Sequence, residues 1–253
     1  VLFAVALASA REPVIRPQPK LDWRRAVGAL IENRALRRIL LADLLLGVQG
    51  GINGSVHFFF VVQVLLLPQA ASLYLVVLFL TGFLCVPVFV RLSERFGKHR
   101  TLCLGALQSS LATGALFVVP AEGFVWALLV FVGIGVNFGA KDMLLRSMMA
   151  DVIDQDRVSV DAERSALYYS TLSLTSKIGL ALAVGIVYPA LDLIGFTVGG
   201  ANDQATLDGV RVLVAGSPTL ITLCVAWIMW RFPLGREEQR ALRAELAHRR
   251  QGG

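Results

Sequence analysis

Six stretches of this 253-residue chain are too long and too apolar to be hidden inside a water-soluble globule of its size. They are Leu36–Val62, Ser72–Val90, Leu102–Val119, Phe124–Leu145, Ala166–Ile194 and Val210–Trp230. A bilayer core about 30 Å thick is crossed by about 20 predominantly apolar residues in a helix. The breaks between the stretches carry turn chemistry: Pro68, Gly97, Pro120 with Gly123, and the run Gly195–Gly209 with its four glycines. Pro87, Pro189 and Pro218 fall inside or near the ends of stretches, where membrane helices tolerate proline as a kink. Hydrophobic residues make up 56% of the chain and charged residues only 17%, against about 25% charged in soluble domains. The fold class that follows is an all-α polytopic membrane protein. Three cysteines, Cys85, Cys103 and Cys224, lie in or at the ends of apolar runs and read as small hydrophobes, not as disulfides or metal ligands.

The net charge of +6 would suit a nucleic-acid binder if the bases shared one soluble face, but they punctuate the apolar runs instead. Segments 11–38, 91–100, 141–164 and 231–250 hold eight, four, four and six Lys or Arg, or 22 of the 24 in the chain. The alternate breaks at 63–71, 120–123 and 195–209 hold none, and only Lys177 and Arg211 fall elsewhere. The positive-inside bias then places segments 11–38, 91–100, 146–165 and the C-terminus in the cytoplasm. Two cytoplasmic pieces are amphipathic. Asp22 is positioned to cap a short interfacial helix carrying Trp23, Val27, Leu30 and Ile31 on one face, which leads through Asn33 into the first span. The tail Glu237–Arg250 puts acids first and arginines last, in keeping with the helix dipole. Val1–Ala8 reads as the tail of a helix already under way, so the chain is expected to be a C-terminal fragment. The expected organisation is residues 1–35 as that helix end and a cytoplasmic central loop, 36–231 as the transmembrane bundle, and 232–253 as a cytoplasmic tail.

Two segments between spans carry patterned charge. Arg91-Leu92-Ser93-Glu94-Arg95-Phe96-Gly97-Lys98-His99-Arg100 joins the second and third spans. Gly97 permits a tight reversal, the bases hold the loop in the cytoplasm, and Glu94 is placed to pair with Arg95, Arg100 or a neighbouring helix end. The second segment is Met148-Met149-Ala150-Asp151-Val152-Ile153-Asp154, followed by Ala166-Leu167-Tyr168-Tyr169-Ser170. Asp151 and Asp154 sit in a loop rich in counter-charges and read as structural or gating residues, not as an acid/base pair. Lys177 stands about 16 Å into the fifth span at 1.5 Å per residue. A lysine at mid-membrane costs about 2.5–3.5 kcal/mol, so it should face a cavity or a partner acid. Ser170, Ser173, Lys177, Ala181 and Tyr188 share one narrow face at 100° per residue.

The acid-Arg-x-Gly-base-x-Arg pattern at Glu94–Arg100 resembles the loop signature of the major facilitator superfamily. The Ala150–Asp154 box, the Tyr-Ser start of the next helix, a lysine 26 residues after Asp151 and Glu32-Asn33-Arg34 resemble the glycoside–pentoside–hexuronide:cation symporter family, of the melibiose permease-like type. The resemblance covers essentially the whole chain and implies the six-helix C-terminal half of a twelve-helix major facilitator fold. It further implies that Lys177 and Ser173 contribute to a sugar and cation region. It implies a coupling cation, Na+ or H+, bound mainly by carboxylates of an N-terminal half, with no other cofactor, and residence in a bacterial inner membrane. In sugar-transporting members an aromatic platform stands nine residues before the Asp of the box. Here that position is Asp142, and an acid cannot stack under a pyranose, which puts galactoside specificity in doubt. Glu163-Arg164-Ser165 also departs from the usual basic pair followed by an acid.

Other polar residues fall within the spans. Gln49, Asn53, His57, Gly50, Asp43 and Gly54 lie within roughly 140° of the first span, an arc suited to a wet pathway. The glycines Gly47, Gly50, Gly51 and Gly54 read as close helix packing through small-x-x-x-small spacing. Asn53 is open to a cavity role or an interhelical hydrogen bond. His57 reads as interfacial, and Asp43 as a structural partner of a basic loop residue. Asn137 and Lys141 lie one turn apart beside Asp142, and two readings stay open: a gate-like charge cluster or an interfacial position. Gln108, Ser109, Ser110 and Thr113 read as helix–helix hydrogen-bonding groups. No HExxH, GxSxG or phosphate-loop pattern is present, so no enzyme is expected. The sequence thus predicts a secondary transporter of a sugar or glycoside with Lys177, Ser173, Ser170, Asn53 and Asn137 at the substrate or coupling site. Its partners are a small-molecule substrate, the lipid bilayer and the N-terminal six helices, with no nucleic acid. A lysolipid or amphiphile carrier of the same fold is the alternative, and a non-transporting scaffold or sensor is the alternative of another class.

Overall fold

The computed structural model describes Gly28, residues 32–159 and residues 165–233. The interfacial helix around Asp22, most of the Glu163–Ser165 variation and the tail 237–250 lie outside the described residues. Eight α-helices make up the described part, and no strand occurs among the described residues. They are α1 Arg34–Phe59, α2 Ala71–Phe96, α3 Lys98–Gly114, α4 Phe124–Val136, α5 Phe138–Ser159, α6 Ser165–Leu193, α7 Gln204–Arg211 and α8 Ser217–Trp230. A π-turn, Phe60–Val64, prolongs α1, another, Val212–Gly216, joins α7 to α8, and Asn137 alone separates α4 from α5. Five helical segments are long and apolar enough to cross a membrane: Arg34–Val64, Pro68–Phe96, Phe124–Asp156, Ser165–Leu193 and Gln204–Trp230. The remaining predicted span is the 17-residue α3, which a 3-10 turn at Ala115–Phe117 extends. Together these reach about 31 Å, enough for the bilayer core.

The helices outrun the apolar stretches because a helix does not stop where the hydrocarbon does. The predicted loop at Arg91–Arg100 contracts to Gly97, whose φ of 91° ends α2 and starts α3. That positive φ is open to glycine and strained for other residues. The box Ala150–Asp154, expected in a loop, lies within α5. Part of the glycine-rich run is α7, whose first turn is capped by the Asp203 carboxylate accepting the Thr206 N–H at 2.8 Å. Asn33 behaves as the sequence suggests. Its side-chain oxygen accepts the N–H groups of Ala35 and Leu36 at 3.0 and 3.1 Å, two of the orphan donors of α1.

The outer surface of the bundle is apolar. Phe83, Leu111 and Trp227 are 77%, 78% and 80% exposed, an inversion that only a lipid solvent tolerates across so many large side chains. The interior is layered. One apolar cluster gathers Leu36, Ile39, Leu102, Leu144, Met148 and Met229 near the Gly97 end. The other gathers Val56, Phe60, Tyr74, Leu116, Phe131 and Val187 near the opposite end. Between them α1, α3 and the α4–α5 break contribute Gln49, Ser109 and Asn137, all buried.

The most extensive helix pair is α1 with α6. Its closest point is Gly47 against Gly179, where a Cβ on Gly179 would lie 2.5 Å from the Leu44 carbonyl oxygen and 3.0 Å from Gly47 Cα. One turn on, a Cβ at Gly51 would collide with the Ala183 methyl. The small-x-x-x-small reading therefore holds for Gly47 and Gly51. Gly50 and Gly54 instead face open space. Arg211, unexplained by topology, donates to the carbonyls of Phe117 and Val119 at 2.9 and 2.8 Å and so closes the end of the α3 span. Overpacking costs about 1–3 kcal/mol, so Gly179→Val should lower the thermal unfolding midpoint in detergent by several degrees, whereas Gly185→Ala, with nothing within 4 Å of the added methyl, should not.

Candidate functional site

The polar layer exists because a span is broken in its middle. The sequence Gly133-Ile134-Gly135-Val136-Asn137 has little side-chain bulk to hold a helix, and Gly135 is pressed against α2, where a Cβ would lie 2.7 Å from the Leu78 carbonyl oxygen. The Asn137 N–H turns to the Gly135 carbonyl instead of Gly133, and α5 resumes with Lys141 N–H on the Asn137 oxygen at 3.3 Å. The carbonyl of Gly133 is thereby freed. Gln108 on α3 donates its side-chain amide to it at 2.7 Å, restoring the bond that the break removed. The Asn137 side chain is 4% exposed, and its oxygen has no hydrogen-bond partner.

A cavity of about 210 Å3 opens at this break, walled chiefly by α1, α2, α4 and α5. Gln49, Asn53, His57, Ser109, Asn137 and Lys141 supply its polar lining, and Leu78, Phe131 and Phe138 are among its apolar walls. The Lys141 ammonium donates to the Gln49 carbonyl oxygen at 3.1 Å and lies 5.5 Å from the Phe138 ring centroid. A Cβ on Gly50 would only just touch that ammonium, at 4.0 Å, so glycine there leaves room for it.

His57 lines the same cavity and is buried, not interfacial as the sequence suggested. Its Nε2 bonds the Ala71 carbonyl at 3.0 Å, which requires Nε2–H, and its ring meets Phe131 edge-on at 5.2 Å. Asp43 is likewise buried and does not pair with a loop base. The Ser176 hydroxyl lies 2.9 Å from each of its carboxylate oxygens, tying α1 to α6 just beside the Gly47–Gly179 contact. Asn53, left open between two roles, is on the cavity wall.

The other predicted residues are placed elsewhere. Ser170, Ser173 and Lys177 are exposed on α6 and do not line the cavity. Ser170 donates back to the Leu167 carbonyl at 2.9 Å. Lys177 makes no hydrogen bond or ion pair with any described residue, while its neighbour Ser176 turns the other way, to Asp43. Asp142 is exposed, whereas Lys141 lines the cavity. Glu94, Arg95 and Arg100 are exposed, and Asp154 is partly buried. An ion pair at this end joins Lys98 to Asp151, at 2.6 Å, with a second bond from Lys98 to the Ser147 carbonyl at 3.0 Å. It ties the start of α3 to the middle of α5. The helix–helix role expected of the α3 hydroxyls is seen at Ser110 and Thr219, whose hydroxyls bond each other's backbone carbonyls at 3.4 and 3.3 Å.

Sequence reasoning missed the Lys141–Gln49 contact. The signal was present in part: the wheel of the first span already put Gln49, Asn53 and His57 on one arc. Lys141 stands out beside Asn137, but its partner Gln49 lies on another helix.

Membrane-length helices with a lipid-facing surface, a broken span and a polar interior define a multi-pass helical membrane protein with an internal cavity. Residues 2–236 match the MFS/sugar transport protein family, and the chain belongs to that family. It is 24% identical over 253 residues to the glucuronide carrier protein homolog of Escherichia coli (strain K12), covering 99% of this chain and 55% of that protein. It is 26% identical over 210 residues to an uncharacterized symporter of Synechocystis, covering 79% and 38% of the two. To sodium-dependent lysophosphatidylcholine symporter 1 of Gallus gallus it is 24% identical over 169 residues, covering 66% and 32%. The chain thus spans about half the length, or less, of these relatives.

The Lys98–Asp151 pair yields a test of the packing. Asp151 is 3% exposed in its side chain, so Asp151→Ala leaves an uncompensated cation and should destabilise by about 3–5 kcal/mol, whereas the double change Lys98→Met with Asp151→Leu should recover most of that loss. Chemical denaturation in micelles, followed by tryptophan fluorescence, measures both.

Proposed function

We propose that this chain is the C-terminal six-helix half of a twelve-helix secondary transporter, which moves a sugar or glycoside by cation-coupled symport through alternating access. One observation carries the reading: a cavity lined by Gln49, Asn53, Asn137 and Lys141 beside a broken span, in a bundle whose exterior is apolar. Discontinuous helices at mid-membrane are where transporters of this kind place polar substrates. The names of the relatives, a glucuronide carrier homolog and symporters, support the same reaction class.

Lys177 supports the missing half. It is exposed near the middle of α6, a position that costs about 2.5–3.5 kcal/mol against lipid. A face carrying Ser170, Ser173 and Lys177 is accounted for if a second bundle covers it across an aqueous pathway. Substrate then lies between the halves, contacted on this side by Lys177 and Ser173, and the cation, Na+ or H+, is bound mainly by the other half. The positive-inside bias favours a cytoplasmic C-terminus and a cytoplasmic Lys98–Asp151 end. Helical spans, as opposed to a closed barrel, suit a bacterial inner or plasma membrane. A second reading, an amphiphile carrier, is favoured by the relative named as a lysophosphatidylcholine symporter and by Asp142 at the position of a sugar-stacking aromatic.

The test is uptake into proteoliposomes under an imposed Na+ or H+ gradient. The full-length polypeptide should accumulate a labelled glycoside only with the gradient, and Lys177→Ala should reduce uptake at least tenfold without loss of membrane insertion. Competition by lysolipid and not by glycoside selects the second reading. Normal uptake by Lys177→Ala removes that residue from the mechanism, and accumulation by residues 1–253 alone overturns the half-transporter assignment.

A further inference from the structure

We propose that the Lys141 ammonium is the anchor for an anionic oxygen group of the substrate, a carboxylate or a phosphate, which extends from between the halves into the cavity of this half. The proposal deepens the transport reading and rests on it. An ammonium has three N–H donors. Here one reaches a neutral acceptor, Gln49 Oε1, and the Phe138 ring lies nearby. No carboxylate of the described residues lies within 4.0 Å of it. Asp43 and Asp142 attract it only without contact: the Asp43 carboxylate is bonded by Ser176, and Asp142 is exposed. A cation in a membrane interior is costly unless it meets a partner charge or water. The partner that this geometry invites is one that comes and goes with the substrate.

The surrounding groups narrow the ligand further. Asn137 is almost wholly buried on the cavity wall, with its side-chain oxygen turned toward Gly105 of α3. Asn53 and Ser109 add groups that both donate and accept. A cation beside amides and a hydroxyl that both donate and accept fits a small polyhydroxylated group bearing one negative charge. The cavity, about 210 Å3, is smaller than the ~300–1,000 Å3 of drug-sized sites, so it suits a single ring or a headgroup and not an acyl chain. Lys141 is therefore the residue that separates anionic from neutral substrates, while Lys177 lies on a different face.

Equilibrium binding to the full-length polypeptide in nanodiscs tests this without any gradient. The probes are methyl glucuronide, its neutral counterpart methyl glucoside, and glycerophosphocholine as the phosphate headgroup. Wild type should bind one of the two charged probes at least tenfold tighter than methyl glucoside, and which one it is distinguishes carboxylate from phosphate. Lys141→Gln should weaken the charged probe at least tenfold and leave methyl glucoside within twofold. Lys141→Arg should retain most of the preference, which guards against loss of fold. Equal binding of charged and neutral probes by wild type, or a preference that survives Lys141→Gln and is lost instead in Lys177→Gln, overturns the proposal. If the anion preference holds while gradient-driven uptake is absent, the symport reading fails and the site stands.

Discussion

Hydrocarbon offers no hydrogen bonds, and most of this structure follows from that constraint. A polar group left unpaired in the bilayer core costs several kcal/mol. The break at Asn137 is therefore possible only because Gln108 reaches the carbonyl that the break sets free. Asp43 is held by a hydroxyl, His57 by a backbone carbonyl, Lys141 by an amide, and the last turn of the α3 span by Arg211. Each of these contacts joins two helices. The groups that would be penalised in lipid thus become bonds that hold the helices together, several of them around one cavity.

Close backbone approach does the complementary work. Gly47 and Gly51 let α1 lie directly on Gly179 and Ala183 of α6, and Gly135 and Gly139 let α4 and α5 lie on Gly82 of α2. These contacts leave no room for side chains between the helices. Gln49, Asn53 and His57 of α1 line the cavity, where Gly50 and Gly54 keep the wall open. The same helix is sealed along one face and wet along another, and its glycines divide between the two tasks.

Much of this was legible in the sequence. Lipid solvates only apolar surface, so the spans announce themselves as runs, and the bases sort by side. The arc of Gln49, Asn53 and His57 was visible because a helix has a fixed period. What was not legible depends on partners in other helices. The sequence leaves Lys141 open between a gate-like cluster and an interfacial position, and the break at Asn137 turns it inward to Gln49. The pairing of Asp151 with Lys98, rather than of Glu94 with a neighbouring arginine, follows from α5 continuing as helix through the polar box. Asp43 likewise sits one turn from a glycine contact that the sequence of α1 alone could not locate. Lys177 stood out from the start, and its exposure on α6 shows that the residue the membrane tolerates least here lies outside the cavity built by this half.

The proposed transport requires that the polar layer around Asn137 and Lys141 be a substrate-accessible aqueous cavity and not a sealed hydrogen-bonded plug. Gly54 lines it, and a Cβ there meets nothing within 4 Å, so Gly54→Cys in a background with Cys85, Cys103 and Cys224 replaced is a well-tolerated reporter. Labelling by a membrane-impermeant maleimide should be read in membranes from both sides, with and without substrate. Labelling that substrate slows severalfold is the expected result. A cysteine that stays unlabelled from either side of the intact membrane, yet reacts once the protein is denatured, would contradict it.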